Sequence, residues 1–103
     1  MSYKFHPEAL IEFSEAVLYY SEKSPELGSA FYTEVESVIQ RVIVNPDLFR
    51  IIEEDVRRCL TKRFPYGVLY TIETDYILIV AVMHCSRDPS FWKDRIRKGK
   101  LKT

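Results

Sequence analysis

A two-layer α+β fold is predicted by three features of this 103-residue chain. Two consecutive stretches carry apolar residues at helical spacing. The second half turns to β-rich alternation. One long apolar run, Tyr76 to Met83, then has no polar interruption. The predicted order is β-α-α-β-β-β, a helix hairpin packed on a largely antiparallel sheet. A chain of this length forms one domain, placed at residues 1–96, with 97–103 as a basic C-terminal tail.

Residues 2–6 alternate and predict a short strand. Pro7 suits the first position of a helix, where its missing N–H costs nothing, and Glu8 places a negative charge in that first turn. Leu10, Phe13, Val17 and Tyr20, with Ala16 beside them, form one buried stripe; Glu12, Glu15 and Glu22 are assigned to the opposite face. Tyr19-Tyr20 reads as core and core margin. Ser24-Pro25 ends this helix and starts another, with Ser24 as N-cap. The second stripe is Phe31, Val35, Val38, Ile39, Val42 and Ile43, and Asn45-Pro46 stops it. So short a connection makes a helix hairpin. Gly28 marks a close approach of the two backbones.

Residues 46–55 are expected to form a linking loop or irregular edge, with Leu48, Phe49, Ile51 and Ile52 tucked onto the core. A strand follows at about 56–63, a turn at Phe64-Pro65-Tyr66-Gly67, and a strand at about 68–73. Thr74-Asp75 is a tight hairpin turn. Tyr76 to Met83 is expected to be a central strand buried on both faces. Asp88-Pro89 breaks the chain, and Ser90 is a cap residue for a short helix carrying Trp92.

At 47% hydrophobic, with thirteen Phe and Tyr, the chain can fill a core. No apolar run reaches the roughly 18 residues of a membrane span, and the N-terminus lacks the apolar region of a signal peptide. Two cysteines, Cys59 and Cys85, are too few for a disulfide framework. The expectation is a cytoplasmic protein with free thiols and no membrane partner. The formal charge of zero hides an asymmetry: residues 1–55 hold four Lys/Arg against eleven Asp/Glu, whereas residues 56–103 hold eleven against four. Such a division points to an acidic partner for one face.

His84 stands where the long apolar strand leaves the core. Its ordinary pKa suits proton transfer, and Arg57, Arg58, Lys62, Arg63 and Arg87 lie nearby in sequence or sheet. An imidazole among guanidiniums is equipped for phosphodiester cleavage. The plainer alternative has His84 bonded to backbone and the arginines to carboxylates. By alternation Arg58, Leu60, Lys62 and Phe64 share one side of the basic strand, and Arg57, Cys59, Thr61 and Arg63 the other. Such a strand either lines a phosphate groove or protects a sheet edge. Cys59, His84 and Cys85 lack zinc-type spacing. Ser86 has no glycine elbow, and the three isolated glycines form no phosphate loop. No metal and no cofactor are expected.

Phe5-His6-Pro7-Glu8-Ala9, Ala16 to Tyr20, Leu27-Gly28 with Phe31, and Asn45-Pro46 together make a recognisable set. With them go Arg57-Arg58 through Arg63-Phe64-Pro65-Tyr66, and Ala81-Val82-Met83-His84-Cys85-Ser86-Arg87-Asp88-Pro89 with Trp92 and Arg95. The set resembles the RelE/ParE superfamily of type II toxin–antitoxin toxins, and within it the ParE-like branch, often labelled plasmid stabilization proteins. The resemblance implies a growth-inhibiting toxin held silent by a cognate antitoxin in a hetero-oligomer. ParE toxins poison DNA gyrase; RelE-type relatives cut mRNA in the ribosomal A site.

By position, Arg58, Lys62, Arg63, His84 and Arg87 correspond to the basic residues of the nucleases. Two departures stand against that branch. The late aromatics are Phe91-Trp92 where the nucleases use Tyr or His, and the acidic run Glu53-Glu54-Asp55 precedes the basic strand. The resemblance therefore implies a gyrase inhibitor whose target-binding residues are Arg57, Arg58, Lys62, Arg63, Arg87, Trp92 and Arg95. A ribosome-dependent endoribonuclease using Arg58, His84 and Arg87 is the alternative. A non-toxic antitoxin-binding relative is the second.

Overall fold

The structure, a computed structural model, describes residues 1–96. The basic tail assigned to 97–103 lies outside the described residues. Strand β1 (Ser2–Phe5) leads into α1 (Pro7–Lys23), and α2 (Pro25–Val44) returns antiparallel to it. Strands β2 (Arg50–Glu53), β3 (Val56–Leu60), β4 (Tyr66–Ile72) and β5 (Tyr76–His84) follow, then a 3-10 turn at Pro89–Trp92.

The expected helix boundaries hold, with sharper chemistry at the caps. His6 caps α1, its Nδ1 accepting from the Glu8 N–H at 3.1 Å. Ser24 serves both helices: its N–H donates to the Tyr20 carbonyl, and its Oγ accepts from the Leu27 N–H. A Cβ on Gly28 would sit 1.9 Å from Ser21 Oγ and 2.8 Å from Ser21 Cα, so the hairpin closes backbone against backbone there. The buried stripe of α1 is rotated from the expected one. Ala9, Phe13 and Ala16 face inward while Leu10 is 48% exposed. Two alanines let the helix lie close to the sheet, which a row of larger side chains would prevent.

The sheet order is β1-β5-β4-β3-β2, with β1–β5 its parallel pair and the other neighbours antiparallel. Two-layer α+β architecture is therefore as expected. The segment expected to be a loop or irregular edge contributes a further strand, β2, paired with β3 through an irregular register. The basic strand is shorter than expected. It stops at Leu60 because the Thr61 hydroxyl donates to the Phe64 carbonyl at 2.6 Å and the Thr61 N–H to the Tyr66 carbonyl. Phe64 then swings to the helix side, so its expected shared face with Arg58 does not survive the turn.

Two apolar cores result. Between helices and sheet lie Phe13, Phe31, Val35, Ile39, Val68, Tyr70, Ile77, Ile79 and Val82. On the other face Val56, Leu69, Val80, Ala81 and Met83 pack with Trp92 and Ile96. A bulge makes this second core possible. Leu69 pairs with Ala81 and Tyr70 with Ile79, leaving Val80 as an extra residue, so Val80 and Ala81 both face the C-terminal segment. Strand β5 is thus covered on both sides, as its apolar run requires. The cap of the 3-10 turn is Asp88, which accepts from both the N–H and the hydroxyl of Ser90, rather than Ser90 itself.

Candidate functional site

The helix-free face of the sheet carries a narrow cleft of about 90 Å³, lined by Ile52, Arg58, Gly67, Met83, Cys85 and Arg87. Arg58 reaches it from β3. A Cβ on Gly67 would meet Arg58 Cδ and Cγ at 3.2 and 3.3 Å, so the bare glycine lets the arginine stem lie flat on β4. Arg87 reaches it from the turn after β5, where its N–H donates to the His84 carbonyl. Its guanidinium stacks on the Phe91 ring at 3.7 Å and approaches Glu12 at 3.6 Å.

Glu12 turns out to be a structural centre, although the sequence reading put it on the solvent face. Its Oε1 accepts from the Val82 N–H at 3.1 Å and its carboxylate is gripped by Arg95 at 2.6 and 3.0 Å. Arg95 also donates to the Val80 carbonyl. Strand β1 ends opposite Ile79, so these side chains satisfy the edge of β5 that β1 leaves open.

The seven expected target-binding residues occupy different environments. Arg58 and Arg87 share the cleft. Lys62 and Arg63 lie on another surface, beside a wide groove along α2 that also involves Glu34 and Arg41. Their backbone N–H groups both donate to Glu34 Oε2. Arg57 faces the helix side. It donates to the Asp47 and Phe49 carbonyls and lies 3.6 Å from the Asp47 carboxylate, pinning the loop after α2. Trp92 is 1% exposed within the second core, and its Nε1 has no partner among the described residues. Arg95 is held by Glu12. Trp92 and Arg95 thus fix the segment that bears Phe91 and Arg87 rather than forming an open surface.

His84 pairs with Tyr66 in the sheet, and the two rings meet edge-on at 5.3 Å. Its Nδ1 accepts from the Ser86 N–H and lies 2.8 Å from the Ser86 hydroxyl. That bond assigns the remaining ring proton of the neutral imidazole to Nε2. His84 borders a hollow with Glu12, Glu15, Tyr19 and Tyr66 on the helix side. Arg58 belongs to the opposite face. Of the three nuclease candidates, Arg87 alone borders both hollows.

Ionisation follows burial. Tyr66 is pushed above the usual tyrosine value by desolvation, with Tyr20 and Tyr19 adding to it. Burial also raises the Cys59 thiol against the opposing Arg41 charge, so that thiol is poorly disposed to act as a nucleophile. The sequence reading missed Glu12, Gly67 and Ile52. A stripe drawn through Ala9 and Ala16 would have included Glu12; a lone glycine opposite a basic strand was the signal for Gly67.

A helix hairpin on one face of a small sheet, with the Arg58–Arg87 cleft on the other, defines a two-layer α+β protein. The model of the ParE toxin of type II toxin–antitoxin system, parDE, matches residues 3–89, and the chain belongs to that family. It is similar to a solved structure of the chromosomal ParDE TA system from P. aeruginosa. The TM-score is 0.71 and the identity 18%, covering 82% of this chain and 95% of that one. None of the curated proteins matches. Among the described residues no helix is long and apolar enough to cross a membrane.

Proposed function

We propose that this type II toxin acts in the cytoplasm by binding a protein, DNA gyrase, and that a cognate antitoxin neutralises it. Family membership supports the antitoxin partner. The observation that favours protein binding over RNA cleavage is the separation of Arg58 from His84 by the thickness of the sheet. A ribonuclease needs its base and its phosphate-binding cations around one scissile bond. Here the imidazole is engaged with Ser86 on one side while Arg58 lies on the other, and Arg87 alone borders both hollows.

Pulse labelling of cells making this chain alone tests the proposal, with DNA and protein synthesis followed separately. DNA synthesis stops first, and purified toxin blocks gyrase supercoiling. If translation stops first and mRNA fragments accumulate, the nuclease reading replaces this one. Unimpaired growth with folded toxin present would instead indicate a non-toxic relative.

A further inference from the structure

We infer that the Arg58–Arg87 cleft receives a single carboxylate side chain, an Asp or Glu, of the poisoned target protein. The inference rests on the protein-binding reading and specifies its chemistry.

The donors are present and largely uncommitted. Arg58 has no carboxylate partner among the described residues. Arg87 faces Glu12, but at 3.6 Å, and that carboxylate is already held by Arg95 at 2.6 Å and by the Val82 N–H. Most of the five N–H donors of each guanidinium remain for a ligand. The donors are also oriented. The Arg58 stem rests on Gly67, and the Arg87 plane is fixed by the Phe91 ring. Two planar forks held in this way match a planar carboxylate.

Size and surroundings select the ligand. A cleft of about 90 Å³ has room for one carboxylate on a short stem, and Ile52 and Met83 supply apolar wall for the methylene groups. Directly after Ile52 come Glu53, the last residue of β2, and Glu54 and Asp55 in the turn to β3. Glu53 is paired with Lys93 at 2.7 Å. Successive phosphates of a nucleic acid would pass this acidic turn within about a Debye length and be repelled. An isolated carboxylate on an otherwise neutral or basic partner surface would not.

The test uses full-length toxin and the side-chain Nε–Hε NMR signals of its arginines, titrated with acetate against chloride at matched ionic strength. Arg58 and Arg87 shift together while Arg57 does not. Arg58→Gln and Arg87→Gln each weaken acetate binding about tenfold. Arg58→Lys, which keeps the charge and loses the fork, behaves like Arg58→Gln. Failure of acetate to move either signal, or equal movement of Arg57, overturns the inference. Tighter binding of a short oligouridylate that Arg58→Gln removes overturns it in favour of nucleic acid. Gyrase inhibition by the same variants, their folding checked by circular dichroism, falls about tenfold in potency. If wild-type toxin leaves gyrase unaffected, the gyrase reading fails while the acetate titration still decides the cleft.

Discussion

Glu12 and Arg95 are joined by hydrogen bonds of 2.6 and 3.0 Å across 83 positions of sequence. Each side chain is 12% exposed, and together they occupy the edge of β5 beyond the end of β1. Removing one partner leaves a largely buried charge and an unpaired strand edge. Arg95→Met is expected to destabilise the fold by about 2–4 kcal/mol, read by urea denaturation. A smaller loss, within about 0.5 kcal/mol, would mean that the pair is dispensable.

Gly28→Ala forces a methyl group into the Ser21 backbone. Because the obstacle includes Cα and not merely the end of a flexible chain, the helices must separate. The expected cost is about 1–3 kcal/mol. Ser21→Ala in the same background relieves little of it, since Ser21 Cα still lies at 2.8 Å. Full recovery would show that only the hydroxyl was in the way.

His6 gives stability a pH dependence. Burial, with help from Arg95 and against Glu8 and Glu12, holds its pKa below the usual 6.5. The unfolded chain therefore takes up the proton first. Its contribution is complete above the unfolded value and is lost as pH falls through the folded one. The thermal midpoint of wild type is expected to drop between about pH 7.5 and about pH 5.5. His6→Asn keeps a capping side chain and makes that drop smaller; an unchanged drop would assign it to other groups.

Tyr70 donates its hydroxyl to the Pro46 carbonyl at 2.6 Å, tying β4 to the end of α2. Burial pushes its ionisation up to about 12. The neutral phenol is the form the fold favours. Its contribution is present below the ordinary value of 10.0 and lost as pH rises through about 12. Tyr70→Phe should cost about 1–2 kcal/mol and remove the latest-titrating component of the tyrosinate absorbance. Early titration of every tyrosine in the folded protein would contradict this.

His84→Ala removes the bonds to Ser86 and the edge contact with Tyr66 but leaves both arginines of the cleft. Under the protein-binding proposal, toxicity in cells falls less than about threefold. A loss of about 100-fold in a folded variant would restore His84 as an acid or base.

Local rules made the helix hairpin legible: Pro7, Ser24-Pro25 and Asn45-Pro46 punctuate it, and Gly28 marked the contact correctly. The long run ending at Met83 announced a doubly covered strand. What escaped depended on distant residues. Strand β2 is four residues long with two adjacent isoleucines, so it shows no clean alternation. The inward turn of Glu12 has its cause in Val82 and Arg95, far along the chain. The basic residues were recognisable as a set, but alternation alone does not reveal where β3 ends. Hence Arg58 and Lys62, expected on one face, line different surfaces.

Strand β1 has its partner in β5 and Glu12 has its partner in Arg95, so elements made early are completed by residues made much later. Synthesis takes on the order of ten seconds, and throughout it the emerging chain lacks the segment that closes its sheet. A ribosome that stalls before Arg95 therefore releases a fragment without its final clasp. The fold itself thus sets a minimum interval between the making of α1 and its closure against β5.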